Sequence, residues 1–214
     1  MRAEMGQERR QRKVMWPPPR MIRWIASRNG SKKAETLPIM TQPQVIYAIG
    51  HSTRKLDDFI ATLQAYSVSL LVDIRTIPRS RHNPQFNQDF LRKKLLAKSI
   101  GYLHLKELGG LRHPARDSLN AGWRNASFRG FADYMATEQF SDGLRRLIGL
   151  GKKKRVAIMC AEGNPFRCHR SLVADALTVR KIGVFHIASP ASAREHSLTK
   201  FAVVRGKRIT YPAE

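Results

Sequence analysis

Residues 156–171 constrain the fold more than any other part of the chain. They begin with an apolar run, residues 156–159, that has the length and composition of a buried strand. The run breaks at Cys160 into a polar turn containing Gly163 and Pro165, after which a helical pattern resumes. The segment therefore predicts a strand that ends in a turn and leads directly into a helix.

The predicted turn concentrates the reactive side chains of the sequence. In open α/β sheets, ligands bind where a strand ends and a helix begins, because the first turn of a helix presents free N–H groups and a partial positive charge. We therefore place the candidate active or binding site here. Within eleven residues the turn holds both cysteines of the chain, an imidazole, a carboxylate and two guanidinium groups: Cys160, Glu162, Arg167, Cys168, His169 and Arg170.

Short apolar runs alternate along the chain with segments of helical period. A strand, a helix and a second strand within residues 45–74 predict a right-handed parallel crossover. The sequence thus predicts an α/β fold of three layers around a central, mainly parallel sheet of about five strands. The predicted strands are residues 45–49, 69–74, 102–105, 156–159 and 184–188. The predicted helices are residues 56–66, 88–99, 131–150 with a break near Phe140, and 171–180.

Two further segments complete the predicted domain. A long polar loop opens at Glu107 and reaches about Gly130, and loops of this length in a compact domain are usually functional or disordered. Residues 201–211 predict a final hairpin that turns at Gly206.

Residues 1–40 differ from the rest of the chain. They hold ten basic and three acidic residues and a run of three prolines, with no sustained apolar period. This composition predicts a disordered basic extension before a single α/β domain over residues 41–214. We expect translation to begin at Met40; a transit peptide is the alternative, although the proline run would interrupt its amphipathic helix.

The charge of the chain indicates anionic partners. The net charge is +23, of which +16 belongs to residues 41–214, so the predicted domain is itself basic. Phosphate-bearing ligands and nucleic acid are natural partners for such a surface, with a site for small anions as the alternative. No apolar run reaches the length of a membrane span or of a signal-peptide core, so we expect a cytoplasmic protein without a membrane partner. The sequence does not indicate an oligomeric state.

Residues that follow the predicted strands should meet at one edge of a parallel sheet. His51 follows the first strand, and Asp73 and Arg75 close the second. We expect them beside the turn at Cys160. In this arrangement Asp73 and Glu162 would be acid or base candidates, while His51 and His169 would position or shuttle protons.

The arginines of this edge predict an anion site. Arg167 and Arg170 flank the start of the predicted helix, where they could clamp a phosphate together with backbone N–H groups. The alternative is that these arginines form an ordinary salt bridge, to Asp73 or Glu162. Arg75 and Arg81 belong to a basic loop suited to a phosphate backbone. Ser52 and Glu107 are further ligand-binding candidates.

Cys160 is a candidate nucleophile. A thiol before a helix N-terminus and near arginines has a lowered pKa, although a small buried core residue is the alternative. Cysteine phosphatases and rhodanese-type enzymes place an arginine after five intervening residues, a position held here by Phe166. Cys160, Cys168 and His169 are also candidate metal ligands, with His51 as a fourth. The sequence leaves the metal, and any other cofactor, undetermined.

Several short motifs together resemble one known family. They are Gly50-His51-Ser52, residues 72–75 (Val-Asp-Ile-Arg), residues 107–110 (Glu-Leu-Gly-Gly), and Cys160-Ala161-Glu162 followed by Cys168-His169-Arg170. This combination resembles the bacterial and archaeal family of domain of unknown function 488 over about residues 45–190. The resemblance implies a single α/β domain that begins just before the first strand. It implies no activity, and it does not carry nucleic-acid binding over to this chain.

Three functions fit these observations. The leading hypothesis is a small cytoplasmic α/β enzyme that acts on a phosphate-bearing ligand, either a nucleotide or a nucleic acid. The first alternative is an accessory protein whose loops at residues 75–86 and 152–155 bind nucleic-acid phosphates without turnover. The second is a cysteine- or metal-dependent hydrolase or transferase centred on Cys160. The sequence alone does not decide whether the protein is an enzyme.

Overall fold

The computed structural model describes residues 24–26, 32–34 and 44–213. The chain divides into two units, residues 1–42 and 43–214. In the first unit the described residues form a pair of short antiparallel strands, β1 (Trp24–Ala26) and β2 (Lys32–Ala34). The remainder of the predicted disordered extension lies outside the described residues, as does the predicted start at Met40.

The second unit contains a central six-stranded sheet. Its strands are β3 (Val45–Gly50), β4 (Leu70–Asp73), β5 (Gly101–His104), β6 (Val156–Cys160), β7 (Gly183–Ser189) and β8 (Ser192–Glu195). Their order is β5-β4-β6-β3-β7-β8, and all neighbours are parallel except β7 and β8. The predicted mainly parallel α/β sheet is confirmed. Strand β8 was not predicted, because its four exposed residues carry no apolar alternation.

Helices cover both faces of the sheet. They are α1 (Leu56–Ala65), α2 (Gln88–Leu96), α3 (Ala126–Tyr134), α4 (Glu138–Lys153) and α5 (Arg170–Thr178). Buried side chains of α1 and α2 pack with Ile49 and Met159, whereas those of α3, α4 and α5 pack with Ile46 and Ile158 on the opposite face. This arrangement explains why the central strands are apolar at successive positions. Among the described residues, no helix combines the length and apolar character needed to cross a membrane.

The break between α3 and α4 lies earlier in the chain than predicted. The sequence indicates a break near Phe140, but α4 begins at Glu138. The hydroxyl of Thr137 accepts a hydrogen bond from the N–H of Phe140, so Thr137 caps the helix. Phe140 is therefore inside the first turn of α4, where its buried side chain joins the core.

The order of the strands creates a crevice at the carboxyl edge of the sheet. The chain leaves β4 toward β5 but leaves the neighbouring β6 toward β7, which lies in the opposite direction. Adjacent connections that diverge in this way open the crevice in which doubly wound folds bind ligands. Because β3, β4 and β6 are parallel neighbours, the turns after them share this edge, as predicted.

The long loop before α3 is tied to the domain by side chains. It runs from Gly109 to the helix cap at Asn125. Asp133 accepts hydrogen bonds from the loop at the N–H of Ala115, at Ser118 Oγ and at Asn120 Nδ2. The predicted loop is therefore present, although it is shorter at both ends than the sequence indicates.

A buried polar network joins α5 to the C-terminal part of the chain. The Asp175 carboxylate accepts hydrogen bonds from His196 Nε2, the Thr199 hydroxyl and the Tyr211 hydroxyl. His196 Nδ1 in turn bonds His186 Nε2 at 2.9 Å. Tyr211 follows the hairpin of β9 (Val203–Arg205) and β10 (Arg208–Thr210), which turns at Gly206 as predicted. This network holds the hairpin against the core.

Removing the Asp175 side chain should destabilise the domain strongly. The substitution Asp175→Ala leaves four hydrogen-bond donors without their acceptor, among them the buried His196 ring and Tyr211 hydroxyl, and the expected loss is about 3–5 kcal/mol of the free energy of unfolding. The matched control is Asp142→Ala, since Asp142 pairs with Arg145 at the surface. Its expected loss is at most about 0.5 kcal/mol. Urea unfolding measures both, and losses of similar size would contradict the importance of the network.

Stability should also fall as the solution becomes acidic. Burial lowers the pKa of His186 to about 3, with the neighbouring His196 adding to the shift. The unfolded chain takes up this proton near pH 6.5, whereas the folded chain does so only near pH 3. The stability that the folded protein gains by keeping His186 neutral is therefore fully present above about pH 6.5 and is lost as the pH falls toward 3. Urea unfolding across this range should show a shallower pH dependence for His186→Gln, and an unchanged dependence would contradict the assignment.

Candidate functional site

A buried ion pair closes β4. Asp73 is fully buried, and its Oδ1 accepts hydrogen bonds from the backbone N–H and Nε of Arg75 at 3.0 and 2.9 Å. Its Oδ2 accepts from Arg75 Nη2 and from the Tyr102 hydroxyl, each at 2.6 Å. Burial, together with the Asp73 carboxylate, raises the pKa of Tyr102. Every partner of Asp73 is thus a donor from the protein itself.

Arg75 links this pair to the turn after β3. Its Nη2 donates to the carbonyl of Phe86 at 2.8 Å, and its Nη1 donates to His51 Nε2 at 3.3 Å. Because Nε2 is an acceptor, Nδ1 of His51 carries the proton and donates to the carbonyl of Ser52 at 2.9 Å. Burial lowers the pKa of His51. Arg75 and His51 are therefore engaged within the protein, and their predicted roles, in binding an anion and in positioning or shuttling protons, stay predictions.

The two cysteines and His169 form a compact cluster, called here the thiol cluster. His169 Nδ1 lies 3.8 Å from Cys160 Sγ and 3.8 Å from Cys168 Sγ. The other ring nitrogen, Nε2, lies 3.1 Å from the carbonyl of Ile74, to which it donates its proton. The lone pair of Nδ1 therefore faces both sulfur atoms. Among the described residues, the three donor atoms all lie within 4.8 Å of one another.

Gly110 makes room for this imidazole. A Cβ atom at Gly110 would lie 2.8 Å from His169 Nδ1. The Thr76 hydroxyl donates to the carbonyl of Gly110 at 2.7 Å and so ties the turn after β4 to the loop that follows β5. The ring of Phe131 packs from the side of α3, with its centroid 5.0 Å from that of His169. Three separate segments thus fix the position of one histidine.

The pKa values of the two thiols in the cluster are shifted in opposite directions. A hydrogen bond from Cys168 lowers the pKa of Cys160 well below its usual range, and His169 and the charge of Arg170 act in the same direction. The shared proton and burial raise the pKa of Cys168. The backbone N–H of Arg170 also donates to Cys168 Sγ at 3.4 Å. Cys160 is therefore the sulfur that ionises first, and both cysteines are free of disulfides.

Arg170 does not pair with Asp73. It is 1% exposed, and its Nη1 donates to the carbonyls of Ile49 and Glu162 at 2.8 and 3.1 Å. Its Nε has no hydrogen-bond partner among the described residues. The alternative of an ion pair with Asp73 or with the Glu162 carboxylate is therefore not found for Arg170, because Asp73 is satisfied by Arg75. Arg170 instead supports the start of the turn and places a buried positive charge near Cys160.

The turn after β6 is folded on itself. The N–H groups of Asn164 and Phe166 donate to the side chains of Glu162 and Asn164, at 3.1 and 3.0 Å. Those of Arg167 and Cys168 donate to the carbonyls of Asn164 and Pro165. These amides cannot also bind a phosphate, so this part of the predicted cradle is not formed. The side chains of Glu162 and Arg167 are exposed at the surface of the turn.

The remaining predicted residues lie around the cluster without bonding to it. Ser52 is half-buried at a positive φ of 47°, and its N–H donates to the carbonyl of Ala161. Glu107 is half-buried, and its carbonyl accepts a hydrogen bond from the Tyr134 hydroxyl. Arg81 is exposed in the loop after β4. Within residues 44–213, no hydrogen bond joins these three side chains to the thiol cluster.

Sequence reasoning assigned no role in the site to three residues that shape it. They are Tyr102, which binds Asp73, and Thr76 and Gly110, which position His169. The pair Gly109-Gly110 soon after a strand is a signal of close backbone approach that was not used, and nothing in the sequence identifies His169 as the group approached. Tyr102 is in register with Leu71, two residues before Asp73, and only the strand pairing reveals this neighbour.

Comparison with known proteins gives one match. A family model described as Domain of unknown function DUF488 matches residues 55–177. The matched range includes the thiol cluster, Gly110 and the Asp73–Arg75 pair. No curated protein and no solved structure matches the chain.

Crowding Gly110 should disturb the thiol cluster. In Gly110→Ala, the added Cβ displaces the His169 imidazole. Because His169 helps Cys168 to lower the pKa of Cys160, that pKa should rise in the variant. Ultraviolet absorbance of the thiolate, followed against pH in the reduced and metal-free protein, measures this change. The matched control is Gly149→Ala in α4, where an added Cβ meets nothing within 4 Å. Identical titrations of the two variants would contradict the proposed contact.

Proposed function

This chain belongs to the family of domain of unknown function DUF488, and we propose that it is a metal-dependent enzyme with a zinc ion held by the thiol cluster. The observation that carries the proposal is the convergence of two sulfur atoms and one imidazole nitrogen within 4.8 Å. These atoms come from the end of β6 and from the residues that enter α5.

The distances suit zinc. With zinc–sulfur bonds of about 2.3 Å and zinc–nitrogen bonds of about 2.0–2.1 Å, a tetrahedral site separates sulfur from nitrogen by about 3.6 Å. His169 Nδ1 lies 3.8 Å from each sulfur, so little adjustment is needed. Thiolates and imidazole also favour zinc over the cations that prefer oxygen ligands. The carbonyl of Ile74 orients the ring in the way that protein carbonyls orient metal-binding histidines.

Three protein ligands leave a tetrahedral ion with one open position, which is the arrangement of catalytic zinc sites. Such an ion acts as a Lewis acid and activates water at neutral pH. The residues of the chain prepare the site: Ile74 fixes the tautomer of His169, and the Arg170 N–H supports Cys168. The charges of two thiolates balance that of a divalent cation. The buried positive charge of Arg170 would then compensate a negatively charged group bound at the open position.

A phosphate-bearing substrate remains part of the proposal, but fewer arginines are free to bind its phosphate than the sequence indicated. Arg75 and Arg170 are satisfied internally, whereas Arg167 is exposed one residue before Cys168. The charge of +16 on residues 41–214 also favours an anionic substrate. The reaction class that fits is hydrolysis or group transfer. A cytoplasmic location is part of the proposal as well, because free thiols persist in reducing compartments.

Metal analysis tests the centre directly. Protein produced with zinc and purified without chelator should contain equimolar zinc by elemental analysis. Cys160→Ser, Cys168→Ser and His169→Ala should each weaken zinc binding by more than the roughly 10–100-fold that loss of an outer hydrogen-bond partner costs. The control is His113→Ala, which removes a histidine outside the thiol cluster and should leave the zinc content unchanged. A reduced, folded protein that binds no zinc in competition with a chelator would contradict the proposal.

One observation favours a second function at the same residues. The lowered pKa of Cys160, beside a thiol that keeps its proton, also suits a nucleophilic cysteine in a transferase or hydrolase. The two functions differ in what alkylation of Cys160 requires. A nucleophile reacts in the protein as purified, whereas a metal ligand reacts only after the ion is removed. Mass spectrometry of alkylated protein, with and without prior chelation, separates them.

A further inference from the structure

The surface beside the thiol cluster carries an exposed aromatic ring next to an exposed guanidinium. Phe166 is 60% exposed, which is unusual for a side chain of its size. It lies in the short 3-10 turn Pro165–Arg167, two residues before Cys168, and Arg167 beside it is also exposed. The Arg194 guanidinium lies 5.9 Å from the Phe166 ring. We call Phe166 and Arg167 the rim pair.

The rim pair is held in place by its own turn. Asn164 caps the turn, its side chain accepting a hydrogen bond from the N–H of Phe166 at 3.0 Å. The N–H groups of Arg167 and Cys168 are bonded to the carbonyls of Asn164 and Pro165. These hydrogen bonds fix the backbone of the turn that carries the Phe166 ring, and the ring itself is exposed to solvent.

Other exposed apolar groups lie at the same edge of the sheet. Ile77 is 59% exposed and follows Thr76, while Leu111 is 71% exposed and follows Gly110. The hydrogen bond between Thr76 and Gly110 brings these two positions together, and Gly110 packs against His169. Apolar surface therefore accompanies positive charge around the thiol cluster. This combination suits a ligand that offers flat apolar faces and negative charge together.

We propose that the substrate bound at this site is single-stranded nucleic acid, with a base stacked on Phe166 and a neighbouring phosphate on Arg167. This inference names the substrate class of the proposed zinc enzyme and so rests on that function for its chemistry. Unpaired bases stack on exposed aromatic rings, and arginines follow the phosphate chain. In a duplex the faces of the bases are covered by their neighbours, which excludes this mode of stacking. The charge of +16 on residues 41–214 supplies the long-range attraction.

Fluorescence anisotropy with the full chain tests the proposal. The probe is a labelled oligothymidylate of about 12 nucleotides, which is within the usual site size of one single-strand-binding module. Phe166→Ala should weaken binding roughly 10-fold or more, as loss of a stacked base does. Arg167→Gln should reduce the slope of log affinity against log salt by about 0.7, the value for one phosphate of a single strand.

Two control variants lie at the opposite edge of the sheet. Leu96→Ala removes an apolar side chain that is 70% exposed at the end of α2, and Lys98→Gln removes an exposed charge just after that helix. Both should leave the affinity little changed. Equal affinity of all four variants, or equal binding of a duplex of the same length, would overturn the proposal.

The Cys160→Ser variant separates this inference from the proposed zinc function. It should lose zinc yet still bind the oligonucleotide, because the rim pair contains no metal ligand. If zinc is bound but single strands are not, the substrate class is wrong and the metal centre stands. If single strands bind at the rim pair but no zinc is held, the surface is supported and the metal centre fails.

Discussion

The buried ion pair between Asp73 and Arg75 determines how the whole carboxyl edge is built. It fixes the backbone immediately after β4, where the carbonyl of Ile74 faces His169. The same guanidinium reaches the carbonyl of Phe86 and the ring of His51, so the turns after β3 and β4 are held together. Buried pairs of this kind contribute little net stability, since desolvation of the charges offsets their attraction. The consequence of this pair is geometric: it aims the acceptor that selects the tautomer of His169.

The structure divides the polar residues of the edge into two groups. Asp73, Arg75, His51 and Arg170 bond to one another or to backbone carbonyls, and they form the frame of the site. The thiol cluster is the part whose sulfur and imidazole nitrogen atoms converge on one another. Asp73, Arg75, His51 and Arg170 are thus engaged within the protein, while the cysteines, which the sequence also allowed as plain core residues, lie at the centre of the candidate site. A motif that combines arginines with cysteines does not reveal in advance which of them act on a ligand.

Sequence patterns predicted what depends on burial and chain direction. The strands β3, β4, β6 and β7 were recognisable because burial makes them apolar, and parallel pairing alone implied that their ends would meet. Strand β8 was missed because all of its side chains are exposed. The partners of individual side chains were not predictable, because the sequence does not distinguish Arg75 from Arg170 as the partner of Asp73. The network of Asp175, His196 and His186 left no local signal, because residues ten and more positions apart carry no shared period.

Helix α5 is enclosed along nearly its whole length. Eight consecutive residues, from Arg170 to Leu177, are buried, so the helix has no solvent-facing side on which to slide or rotate. Cys168 and His169, which lead directly into this helix, are therefore held in place as well. An incoming ion would therefore find the imidazole nitrogen already close to its working distance from each sulfur and would cause little change of shape. Occupancy of such a centre would be visible as altered stiffness, for example as slower amide hydrogen exchange, while the outline of the molecule stays the same.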